Sequence, residues 1–65
     1  MYKVWLYGYK DTTTKLFKTL KDVHAHLVNE YETKTTYNDL LKAMREYNND
    51  VCLYQALNCI CIQKV

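Results

Sequence analysis

Tyr2-Lys3-Val4-Trp5-Leu6-Tyr7-Gly8-Tyr9 is the stretch on which the fold turns. It is dense in aromatic and β-branched residues, which suit a pleated surface, and it ends at the chain's one glycine. In an extended strand Tyr2, Val4 and Leu6 point one way, and Lys3, Trp5, Tyr7 and Tyr9 the other. Neither side is purely polar, so the strand has two faces to account for. Gly8 to Asp11 supplies turn chemistry, and Thr12 to Phe17 can return as the second strand of a hairpin, with either Leu16 or Phe17 on its core side.

Downstream the period changes from two to 3.6. Thr19 can cap a helix, with Asp22 three positions on, and Leu20, Val23, Leu27 and Tyr31 then trace an apolar stripe flanked by His24 and Val28. After the polar connection Glu32 to Thr35, Thr36 and Asp39 repeat the capping pattern. Tyr37, Leu40, Leu41, Met44 and Tyr47 form the second stripe, and Asn48-Asn49-Asp50 can stop that helix because asparagine tolerates the left-handed conformation. Val51 to Val65 reads as strand throughout but exceeds a common strand length, which predicts a turn near Ala56-Leu57-Asn58.

The order is therefore β-β-α-α-β, or β-β-α-α-β-β with the last segment folded in two. The predicted class is α+β: a small antiparallel β-sheet with two α-helices packed on one face. At 65 residues the chain is too short for two cores, so residues 1–65 are expected to form a single domain. Two helices of this length can cover one face of such a sheet. The other face is left to solvent or to a partner. Val4 and Leu6 are expected under the helices, which puts Trp5, Tyr7 and Tyr9 outside beside Lys3.

Several chemistries are excluded by residue supply. The chain contains no serine, so a Ser-His-Asp site cannot exist, and one glycine cannot build a phosphate-cradling loop. The carboxylates are scattered over predicted helix surfaces rather than paired. A Cys-His nucleophile would have to draw on Cys52, Cys59 or Cys61, and an apolar strand context raises a thiol's pKa and blunts it. The expectation is a non-enzymatic protein without a cofactor.

A structural zinc site from Cys52, Cys59, Cys61 and one histidine is the sharper alternative. Its spacing is poor: His24 and His26 lie about 200° apart around a helix, and two short Cys-x-x-Cys or His-x3-His elements are missing. Buried free thiols and a locally satisfied His24 are the simpler reading. An odd number of cysteines crowded at one end also suits a reducing compartment. Together with an N-terminus lacking the features of a secretory signal, and no apolar run of membrane-spanning length, this predicts a cytoplasmic protein that does not engage the membrane.

The net charge of +2 conceals a polarity. Residues 1 to 21 hold five lysines against Asp11, whereas residues 22 to 50 hold six acids against Lys34, Lys42 and Arg45. Either pole can meet an oppositely charged surface. Tyrosine and tryptophan bury large areas at low entropic cost and keep a polar tip, so the outward set Lys3, Trp5, Tyr7, Tyr9, Lys10 and Lys15 is the candidate binding surface. A tyrosine-rich stripe that serves as core, or that covers a second copy in a homodimer, is the plainer alternative.

With its basic aromatic hairpin and its helices bearing Asp22, Glu30, Glu32, Asp39 and Glu46, the chain resembles at class level the small host-takeover proteins of bacteriophages and prophages, among them anti-CRISPR inhibitors. The resemblance rests on size, economy and residue usage over the whole chain. It implies a protein-binding inhibitor or adaptor, in the cytoplasm of the host cell, that blocks a host nucleic-acid-handling enzyme such as a CRISPR nuclease. Many such inhibitors are acidic nucleic-acid mimics, and the weak positive charge departs from that pattern. The alternative is direct nucleic-acid binding by the basic hairpin, or by a degenerate helix-turn-helix between Leu20 and Tyr47 with Asn38, Lys42 and Arg45 as its contacts.

Overall fold

The computed structural model describes residues 1–55 and 57–65. Its elements run β1 (Tyr2–Leu6), α1 (Lys10–Thr13), β2 (Lys15–Phe17), α2 (Leu20–Tyr31), α3 (Tyr37–Glu46), β3 (Asp50–Gln55) and β4 (Asn58–Lys64). The four strands form one antiparallel sheet in the order β2-β1-β4-β3. The α+β class and the element order agree with the sequence reading, in its six-element form, with one short helix added.

That addition corrects the hairpin. Thr12 and Thr13 belong to α1 rather than to the second strand, and β2 shrinks to three residues. Gly8 makes the turn as expected, at φ +84°, where a side chain would be strained. Three of the four residues of the helix that follows are weak helix formers, and a tertiary contact fixes it: Thr13 Oγ1 accepts the Leu6 N–H at 3.0 Å and donates to the Tyr9 carbonyl at 2.6 Å.

Both predicted caps form. Thr19 Oγ1 accepts from the Asp22 N–H at 3.1 Å, and Thr36 Oγ1 accepts from the Asp39 N–H at 3.1 Å. Each satisfies a backbone donor that the first helical turn leaves without an intrahelical partner. Glu32 closes α2 in the left-handed conformation, and Asn48 and Asn49 turn the chain out of α3 in the same conformation. The connection between the helices is tied down from both sides. His24 Nε2 lies 2.7 Å from the Thr35 carbonyl oxygen, and Gln55 Nε2 donates to Thr35 Oγ1 at 3.2 Å.

Leu20, Val23 and Leu27 of α2 and Leu40 and Met44 of α3 meet Val4, Val51, Ile60 and Ile62 of the sheet in one core. Tyr2, Leu6, Phe17, Tyr31, Tyr37, Leu41, Ala43 and Leu53 pack around it half-buried. Phe17, not Leu16, takes the core side of β2, where its ring stands 5.0 Å from that of His26. Val28 and Tyr47, placed on the apolar stripes by periodicity, are exposed. Tyr47 lies one residue past α3, where the helical period no longer sets its direction. The predicted turn after β3 falls on Ala56, outside the described residues, and on Leu57 at φ 66°.

Candidate functional site

The face of the sheet opposite α2 and α3 can be read off the register. Residues directly opposite each other on neighbouring strands share a face, so each pairing extends a row across the sheet. One row runs Leu16, Lys3, Gln63, Asp50. The next runs Trp5, Cys61, Cys52. The third runs from Tyr7, whose N–H donates to the Cys59 carbonyl at 2.8 Å, through Cys59 to Tyr54. The result is a polar row with a leucine at its end, a row of tryptophan and thiols, and a row of tyrosines flanking a thiol.

Among the expected site residues, Lys3, Trp5 and Tyr7 share this face, and Lys10 joins them from α1. Its Nζ lies 4.6 Å from the centroid of the Trp5 ring, a cation–π contact that folds the lysine stem back over the indole. Tyr7 is 70% exposed, whereas Trp5 is half-buried. Tyr9 is exposed at the N-cap of α1, where its carbonyl receives the Thr12 and Thr13 N–H groups.

Lys15 is exposed but does not lie on this face. Its register partner is Val4, a core residue, which places it on the helix side of the sheet edge. There its charge, after burial, lowers the pKa of His26, while Glu30 opposes that shift. The alternation of β1 did not carry through α1 into β2, so a grouping by sequence proximity misplaced this lysine.

The face also holds residues outside the expected site: Leu16, Cys52, Tyr54, Cys59 and Cys61, with Asp50 and Gln63 in its polar row. Leu16 is 56% exposed and Tyr54 72% exposed. Cys61 is 3% exposed, sealed in the middle row between Trp5 and Cys52 on the central strand β4. For the residues of β3 and β4 the signal was the break in the long C-terminal apolar segment, since the pairing of Gln55 with Asn58 fixes which positions of Asp50 to Gln63 stand opposite one another.

Cys52 and Cys61 bring their Sγ atoms within 3.0 Å. Burial pushes the Cys61 thiol up from 9.0 to about 12, helped by its hydrogen bond to Cys52 and by the neighbouring Cys52, Cys59 and Asp50 charges. Cys61 is thus a neutral thiol at physiological pH. Among the described residues no group of three or more His, Cys, Asp or Glu side chains is disposed to hold a metal ion. The sheet itself separates the cysteines from His24 and His26, which α2 holds on the other side: His24 reaches Thr35, and His26 lies between Phe17 and Tyr31.

Among the described residues no helix is long and apolar enough to cross a membrane. In comparisons with protein-family models, curated proteins and solved structures, nothing matches this chain.

Proposed function

We propose that this chain is a non-enzymatic protein-binding inhibitor or adaptor whose recognition surface is the open sheet face centred on Trp5. The reading fits the class-level likeness to phage-encoded host-takeover proteins, and a host nucleic-acid-handling enzyme such as a CRISPR nuclease is the proposed target. One observation carries it: α2 and α3 are both committed to the other side of the sheet, and the face holding Trp5, Tyr7, Leu16, Cys61 and Tyr54 meets only the short α1, through Lys10 at Trp5. An apolar centre with lysines and tyrosine tips around it is the composition of a protein interface. Lys3 and Lys10 beside Trp5 favour a partner surface with acidic groups.

The contact between Lys10 and Trp5 also weighs against the nucleic-acid alternative. Base stacking needs a bare aromatic face, and the ammonium already occupies one face of the only indole in the chain. The helix-turn-helix variant is weakened in another way, since α2 and α3 both spend their apolar stripes on the sheet and Lys42 pairs with Glu46 at 4.0 Å.

Affinity purification from a bacterial lysate, with and without nuclease treatment, tests the reading. Recovery of one stoichiometric protein that survives nuclease, and that is lost on Tyr7→Ala and Leu16→Lys substitution, supports it. A heterogeneous pool of nucleic acid released by salt supports the alternative, and recovery of the chain itself alone supports a homodimer.

A further inference from the structure

The middle row of the open face contains a second kind of chemistry. Lys64 donates its N–H to the Asn49 carbonyl at 2.9 Å, which makes that pair a hydrogen-bonded one. Pair types alternate along an antiparallel ladder, so Val51 with Ile62 is hydrogen-bonded and Cys52 with Cys61 is not. Non-hydrogen-bonded pairs bring opposite Cα atoms to about 4.5 Å and hold their side chains closer than the alternate pairs do. That spacing lies at the short end of the roughly 4.4–6.8 Å compatible with a disulfide. The sulfurs, at 3.0 Å, need to approach by only about 1 Å to reach bonding distance.

The two thiols differ in access. Cys52 is exposed on the edge strand β3, where a small reagent can reach it, whereas Cys61 is buried with its sulfur against that of Cys52. Cys59 is not an equivalent partner. It faces Tyr54 across the ladder and stands two strand steps, about 6.8 Å, from Cys61 on the same strand.

We propose that Cys52 and Cys61 are a thiol-modification site that closes reversibly to a cross-strand disulfide when the chain meets a low-molecular-weight disulfide. Cys52 thiolate attacks one sulfur of the small disulfide, forming a mixed disulfide and releasing one small thiolate. The Cys61 thiol passes its proton to that thiolate, its sulfur attacks Cys52 Sγ, and the second small thiolate departs and takes up a proton from solvent. Two protein thiols are oxidised, the proton lost by Cys52 on ionising included, and one small disulfide is reduced to two thiols. Because Cys61 already sits against Cys52, the second step requires no opening of the sheet. The closed form pins β3 to β4 beside Trp5 on the open face, and the exposed Cys52 sulfur gives a dithiol access to reduce it. The inference stands on the register and the sulfur contact, and does not depend on which partner, if any, the face binds.

The test uses the reduced 65-residue chain with glutathione disulfide, read by intact mass and by peptide mapping of the linkage. Wild type and Cys59→Ser should each lose two hydrogens, retain no glutathione, show a link between Cys52 and Cys61, and return to the starting mass with excess dithiothreitol. Cys52→Ser, which alters only an exposed side chain, should lose the intramolecular link. A folded chain that keeps glutathione on Cys52, stays reduced, or links through Cys59 would overturn the proposal.

Discussion

Trp5 and Cys61 stand opposite each other on β1 and β4, so the one indole of the chain is the cross-strand neighbour of the most buried of its three thiols. Lys10 lies over the same indole from α1. The centre of the open face therefore sets an aromatic ring beside a neutral thiol, with an ammonium over the ring.

Substitutions on this face should separate stability from recognition. Tyr7→Ala and Leu16→Lys change exposed side chains and are expected to move stability by no more than about 0.5 kcal/mol, as read by the urea midpoint. Trp5→Ala removes a half-buried ring and should cost about 1–3 kcal/mol. All three should weaken partner capture. A Tyr7→Ala chain with full binding would remove that residue from the interface.

Replacing Lys10 with Gln removes the charge and keeps an unbranched polar side chain one atom shorter. Loss of the cation–π contact is expected to lower stability by about 0.5–1 kcal/mol, the range for an exposed pair. The same change in Trp5→Leu should cost nothing further. A double-mutant cycle in urea measures the coupling directly.

The helix caps were legible in the sequence, and they carry a quantitative expectation. Thr19→Ala and Thr36→Ala should each destabilise the fold by about 0.5–2 kcal/mol without changing the urea m-value. For a domain of this size, whose whole stability is on the order of 3–10 kcal/mol, the double variant should show a large drop in melting temperature.

His26 supplies a pH signature. Burial first, and Lys15 second, hold its pKa below 6.5, so the folded state favours the neutral ring. The unfolded chain then binds more protons than the folded one as pH falls through 6.5 toward the lower folded value. The stability associated with His26 is complete above that window and is lost within it. Melting temperature should fall between pH 7.5 and 5.5, taken as roughly the histidine range, and His26→Gln should flatten that slope. An unchanged slope in the variant would assign it to another group.

Much of the fold could be read from periodicity and punctuation. The spacing of Leu20, Val23 and Leu27, the Thr-x-x-Asp starts and the Asn48-Asn49 stop are local signals, and each corresponds to an observed hydrogen bond, burial or backbone angle. Val4 and Leu6 were placed under the helices by the alternation of β1 alone. The short helix α1 was not legible because its stability comes from Thr13 meeting the Leu6 N–H, a contact seven residues away, and not from helix propensity. The placement of β1 beside β4 is a long-range pairing with no local signature, and it brings Cys61 against Trp5. Lys15 was misassigned for a related reason: α1 uncouples the phase of β2 from that of β1.

The fluorescence of Trp5, the only tryptophan, tests the central claim most directly. If the face opposite α2 and α3 is open, acrylamide should quench the native emission well before urea unfolds the chain, and a captured partner protein should suppress that quenching and shift the emission to the blue. Native emission that resists acrylamide until the chain unfolds would place the indole under cover and contradict the account.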